Sequence, residues 1–296
     1  MEKYVKRTDL ACEIGQDIRK DLRAGIRTVE RVENGIRTLV TDVEPGEGER
    51  CSGRAAGRYV TVYTKEFWLS SAEEYGVLCR TIATVLSKMT RDAFPCKNNA
   101  ELKILIAGLG NRFITSDALG PLTTDRLIAT RHIRETNTRL FHLIGNCEIS
   151  LLAPGVVGQT GFEAAELIRG AAECAKPDLI LAIDALASCS CERLGTTVQI
   201  ANRGIMPGSG IGNHRQSIDS DTMKIPVFSL GIPTVVSSST LILEAMEKAG
   251  MQETDGRMSD VLKNGESYFV TPKECDTVVA EGAKLLADAI SHAYRL

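Results

Sequence analysis

A chain of 296 residues, 43% hydrophobic and 25% charged, can bury one large core or two modest ones and is excluded from the disordered and fibrous classes. Its formal charge of -3 and pI near 5.9 give no general attraction to nucleic acid or to an anionic membrane surface. The opening MEKYVKRTDLACEIGQD lacks the apolar run of a secretory signal, no segment is apolar for long enough to span a bilayer, and nine scattered cysteines read as reduced thiols, so a cytoplasmic protein is expected.

The first fifty or so residues are polar, and TDVEPGEGERCSGRAAG reads as a loop, so a polar N-terminal extension to about residue 56 is expected ahead of a single domain. RYVTVYT alternates as a strand does. In SAEEYGVLCRTIATVLSKMTRDAF, Val77, Ile82, Val85, Leu86 and Met89 fall at helical spacing, with Ser71 and Glu74 placed for a capping box. From Leu102 onward the pattern alternates. KILIAG reads as a strand, LTTDRLIATRHI as a helix, RLFHLIG and EISLLAPG as short strands, and FEAAELIRGAAECA as a helix. PDLILAIDALAS is the most hydrophobic run; TTVQIA and KIPVFSLG supply further strands, and LILEAMEKAG and CDTVVAEGAKLLADAISHAYRL close the chain as helices. The expected fold is α/β, a mostly parallel sheet with helices on both faces.

Ligands of open α/β sheets bind beyond the carboxyl ends of the strands. Two carboxylates are delivered there: Asp184, directly after LILAI, and Asp117 in TSDALGP, after KILIAG and its loop. Each has a structural alternative, since Asp117 can cap the following helix and Asp184 can accept backbone N–H groups at a strand end. Glycine-rich turns surround the pair: Gly108, Gly110 and Asn111 in AGLGN, Gly155 and Gly158 in APGVVGQTG, and Gly208, Gly210 and Gly212 in MPGSGIGN. Dinucleotide binding is excluded, because Phe113 stands where GxGxxG needs its third glycine, and there is no GK[ST] phosphate loop. HExxH and GxSxG are absent. His132 and His292 read as surface or packing residues on helices, while His214, after a glycine loop, is a candidate ligand. Cys189 and Cys191 form a CxC that no second CxxC or nearby His completes, so it reads as a plain loop and no metal is expected.

Taken together, RTDLA (7–11), GRYVT (57–61), GLGN (108–111), SDALGP (116–121), TRH (130–132), PGVVGQTGFE (154–163), PDLILAIDALAS (177–188), PGSGIGN (207–213), GIPTVV (231–236) and VTPKE (270–274) resemble the germination proteases, endopeptidases that degrade small acid-soluble spore proteins. The resemblance runs in order from near the first residue to the last helix. It implies a fold similar to hydrogenase maturation proteases and catalytic aspartates at Asp117 and Asp184. It further implies a zymogen, usually tetrameric, that removes its own propeptide, here residues 1–9, by cutting Thr8-Asp9-Leu10-Ala11 between Asp9 and Leu10. The implied partners are the spore proteins and further copies of the chain, in the forespore or spore core, with no cofactor. This propeptide is shorter than the family norm, the stretch between GIPTVV and VTPKE is compact, and SCSCE (188–192) is richer in sulfur. The alternatives are a metal-dependent maturation-type peptidase and a non-catalytic binding relative.

Overall fold

The computed structural model describes residues 8–13, 24–97, 101–144, 147–208, 210, 215–251, 262 and 268–295. Gly212 and His214 lie outside the described residues. In chain order the elements are β1 (Ile26–Glu33), β2 (Ile36–Val43), α1 (Glu47–Ser52), β3 (Gly57–Tyr63), α2 (Ala72–Ala93), β4 (Lys103–Gly108), α3 (Leu119–Thr124), α4 (Arg131–Thr136), α5 (Thr138–Ile144), β5 (Glu148–Leu152), α6 (Val157–Thr160), α7 (Ala164–Ala175), β6 (Leu179–Ser188), β7 (Thr197–Ala201), α8 (Ser220–Met223), β8 (Val227–Ser237), α9 (Ser238–Lys248), β9 (Phe269–Val270) and α10 (Cys275–Tyr294).

The strands form one open sheet in the order β1-β2-β3-β7-β8-β6-β4-β5, with β9 against the far end of β8. Strands β5, β4, β6 and β8 run parallel, joined by crossovers as parallel strands must be. Strands β1, β2, β3 and β7 add an antiparallel half through β8. The fold is therefore α/β, with the long apolar run of β6 buried between two neighbours.

Alternation along the strands divides the side chains between two faces. Ile104, Ile106, Leu181, Ile183, Val198, Ile200 and Leu230 pack on one face beneath α2 and α10, with Leu78, Ile82, Leu86, Leu285 and Leu286. Leu105, Ala107, Ile180 and Ala182 point to the other face and meet Ala165, Ile168 and Ala172 of α7. Helix α2 begins as its sequence requires: Glu74 N–H donates to Ser71 Oγ at 3.3 Å, and Ser71 N–H donates back to Glu74 Oε2 at 2.9 Å.

Three segments differ from the sequence expectation, the first being LTTDRLIATRHI, which is not one helix but the end of α3 at Thr124 and the start of α4 at Arg131. Residues 26–43 are not a loose extension but a hairpin joined to β3, and Glu47–Ser52 within the expected loop is helical. RLFHLI (139–144) lies in α5 rather than in a strand, because Phe141 is buried while Leu143 is 76% exposed, a helical rather than a two-residue period.

Candidate active site

By the same alternation Asp184 points to the α7 face of β6, and Gln199 of β7 points to that face as well. Both pair directly with Gly231 of β8 between them, so the carboxylate, the glycine and the amide form one row across three strands. A side chain at Gly231 would collide with the Asp184 carbonyl and crowd Leu186 Cγ, and the glycine keeps the floor between the two polar groups low. Asp184 is 6% exposed, and its Oδ1 accepts from the Ala185 N–H at 2.9 Å. Strand β6 continues four residues past it to Ser188, with a register shift between Leu186 and Ala187. The acid thus sits within the strand, level with the end of its β4 neighbour.

Asp117 arrives from β4. The Leu109 N–H donates to Ile183 O at 2.8 Å, carrying the ladder one residue beyond Gly108 before the chain turns. Gly110 has φ +109°, a backbone region L side chains rarely adopt. A Cβ there would collide with Asp117 O, as a Cβ on Gly108 would with Gly120 O. The turn therefore lies flat against the strand ends, and Asp117 Oδ2 accepts the Asn111 N–H at 2.7 Å. Asn111 is itself fixed, its Oδ1 taking Gln159 Nε2–H at 2.8 Å and Phe113 N–H at 3.0 Å. The capping alternative for Asp117 fails: helix α3 has Ala118 at its N-cap and no side-chain cap.

Of the other glycines, Gly155 (φ +71°) and Gly208 (φ +74°) need their left-handed turns, whereas Gly158 faces open space. We expect Gly110→Ala to displace the Asp117 loop and reduce the activity supported by this pair of acids about 100-fold while the sheet stays folded. A kinetic assay beside a circular dichroism melt checks this, and unchanged activity would refute the tight packing of that loop.

Burial raises the pKa of Asp184 well above the ordinary carboxylate value, and the charges of Asp117 and then Asp9 push it further. Asp117 is raised by burial, but the Asn111 N–H and the Arg215 guanidinium pull the other way. The two acids are thus coupled and unequal.

Residues 8–13 lie across the same face. Asp9 N–H donates to Ala187 O at 2.8 Å, and Ala187 N–H donates to Asp9 Oδ2 at 2.8 Å. Gly210 backs this contact, since a Cβ there would collide with the Asp9 carboxylate. Leu10 is fully buried with Leu186 and Cys12, against Leu39 and Ile205. Gln199 bonds the backbone on both sides of Leu10: Nε2–H donates to Asp9 O at 2.7 Å, and Oε1 accepts Ala11 N–H at 2.5 Å. Glu13, its side chain wholly buried, pairs with Arg193 at 3.0 Å and accepts from Ser188 Oγ at 2.6 Å, Cys189 N–H at 2.9 Å and the Thr8 hydroxyl.

Asp117, Asp184, Asp9 and Leu10 are brought together, whereas Cys189 and Cys191 are half-buried and form no disulfide. Sequence reasoning passed over Gln199, Glu13 and Arg193. The available signal for Gln199 was a long polar residue between Val198 and Ile200, with the parity of the site face.

A family model described as "Germination protease" matches residues 5–248. Curated relatives described by the same words agree. One from Caldanaerobacter subterraneus subsp. tengcongensis is 32% identical over 96% of this chain and 93% of its own length. One from Clostridium perfringens is 31% identical over 97% and 94%, and one from Bacillus subtilis 35% over 83% and 67%.

Proposed function

This chain belongs to the germination protease family, which makes it a peptidase of spore germination, and from that premise we propose that Asp184 and Asp117 cut peptide bonds after acidic residues. Its first substrate is its own Asp9–Leu10 bond, and its later ones are small acid-soluble spore proteins in the spore core. The observation that carries the reading is the seat of the Asp9–Leu10 bond: Asp9 exchanges two hydrogen bonds with Ala187, three residues past Asp184 on β6, and its carbonyl accepts from Gln199. Asp9 reaches Asp184 closely enough for its charge to act there, while its neighbour Leu10 fills a closed apolar pocket. By the same resemblance the zymogen is a tetramer.

Two carboxylates in a poorly solvated cleft do not both ionise. Asp184, buried and facing two negative charges, holds the proton, and Asp117, supported by Asn111 N–H and Arg215, is the ionised base. Water adds through its oxygen to the Asp9 carbonyl carbon. Asp117 takes the water proton, and the carbonyl π pair moves to oxygen, which receives the Asp184 proton. Collapse of the diol returns a hydroxyl proton to Asp184 and breaks the C–N bond. The Leu10 nitrogen then leaves with the proton held by Asp117, giving a carboxyl group on Asp9 and a free amine on Leu10. Leu10 N–H donates to Thr8 Oγ1 at 2.9 Å, which orients the leaving nitrogen.

The test is the N-terminal mass of the purified full chain after incubation at mildly acidic pH, alongside Asp117→Asn. The expected product begins at Leu10, and the variant stays whole. A wild-type chain that never shortens, or a variant that shortens normally, overturns the reading.

A further inference from the structure

The role of Gln199 is not fixed by the pair of aspartates. Its amide orientation is dictated by its neighbours: the Ala11 N–H can only donate and so faces Oε1, while Asp9 O can only accept and so faces Nε2. That carbonyl belongs to the bond between Asp9 and Leu10. The amide is also held still. Gln199 is 6% exposed on a strand paired on both sides, to Thr61 of β3 and to Gly231 of β8. Its side chain stands two strands from Asp184 with no side chain on the glycine between, a separation of about 10 Å between backbones. A peptide laid over Gly231 therefore has the carboxyl group on one side and the amide on the other.

We propose that Gln199 is a catalytic residue that donates its Nε2–H to the scissile carbonyl oxygen while negative charge builds on it, and that its Oε1 holds the second residue beyond the cut in register. This rests on the assignment of Asp9–Leu10 as the bond cut by the Asp184–Asp117 pair. A neutral amide suits the position. It carries no charge whose desolvation would oppose binding, it need not change protonation, and it leaves the proton transfers to the two acids. Fixed donors aimed at a developing oxyanion are worth about 10²–10³ in rate when removed. The Ala11 contact, by contrast, is equally strong before and during reaction and belongs to binding.

The two contacts are separable by experiment. The substrate is a peptide with the sequence of residues 5–16, and a second peptide carries an ester in place of the Leu10–Ala11 amide, which removes the Ala11 N–H. Gln199→Met is expected to lower kcat about 100-fold on both peptides. The ester should raise KM for the wild type but not further for the variant. Gln199→Glu keeps an acceptor and loses the donor, so its kcat should fall at least as far near neutrality and recover relative to Gln199→Met as pH falls and the new carboxyl gains a proton. Circular dichroism confirms that each variant is folded. Should either folded variant keep wild-type kcat and change only KM, Gln199 is a binding strap and the proposal is overturned. Asp184→Asn run in parallel separates the two layers. If it still cuts after Asp9, the underlying assignment fails. If it is inactive while Gln199→Met retains full kcat, only the role of Gln199 fails.

Discussion

Asp184→Asn is expected to remain uncut at Asp9–Leu10 under conditions in which the wild type is processed, a loss of about 10²–10⁴-fold if Asp184 acts as the general acid. The same substitution should stabilise the fold near neutral pH. In the native state Asp184 is held protonated well above its ordinary range, chiefly by burial and then by Asp117 and Asp9. Between the unfolded value and the native one, the native chain therefore binds a proton that the unfolded chain has lost. Stability contributed by the protonated acid is fully present below the unfolded value and declines as pH rises through that window. Asparagine has nothing to titrate. Every tenfold difference in proton affinity between the native and unfolded chains corresponds to about 1.36 kcal/mol, and a chain of this size gains about 2–4 °C in melting temperature per kcal/mol. Melts of uncut wild type and variant should coincide near pH 4 and diverge toward pH 7, with the variant higher. A gap independent of pH would refute the protonated assignment, and normal processing would refute the catalytic one.

Arg193→Met should release the N-terminal segment without unfolding the domain. The carboxylate of Glu13 is wholly buried and its one cationic partner among the described residues is Arg193, 12% exposed, at 3.0 Å. The remaining contacts are donors without charge: Ser188, Cys189 N–H and Thr8. Removing one member of a buried pair typically costs about 3–5 kcal/mol, because the other charge stays behind. Here the relief is local. Residues 8–13 can lift away and take Glu13 into water. The ratio of open to closed form should rise about 10²–10⁴-fold, and self-processing should slow once the open form predominates. Hydrogen exchange at Ala11 and the N-terminal mass read the two effects. Adding Glu13→Gln to Arg193→Met should recover part of the loss, since the two changes share one interaction. Unaltered protection of the Ala11 amide would show that the pair does not hold the segment.

What the sequence made legible was local. The Ser71 and Glu74 caps, the apolar run of β6 and the long amphipathic α10 each carry their signal within one window. The hairpin of residues 26–43 was passed over because its faces are polar and much of β1 is exposed. Yet Asn34 and Gly35, with φ of 51° and 76°, occupy the two positive-φ positions that a tight hairpin turn demands. Asp117 and Asp184 stood out because each follows an apolar strand. Gln199, Glu13 and Arg193 gave no such sign: their roles depend on β7 lying two places from β6, and on a terminal segment folding back 178 residues to Ala187. No window of sequence contains that proximity.

Apart from those with Thr8, the contacts of residues 10–13 lie on the enzyme's side of the Asp9–Leu10 bond. Cutting that bond frees Asp9, but the Leu10 pocket, the Ala11 bond to Gln199 and the Glu13–Arg193 pair survive intact. Under the proposed cut, the processed chain would keep its own product as a tethered competitor. A substrate protein arriving from solution would then have to outcompete it. The apparent KM then depends as much on how readily residues 10–13 peel back as on the fit of the incoming peptide. On the proposed reading, scission and full activity are two events, and the second is governed by the dissociation of four residues that stay attached to the molecule.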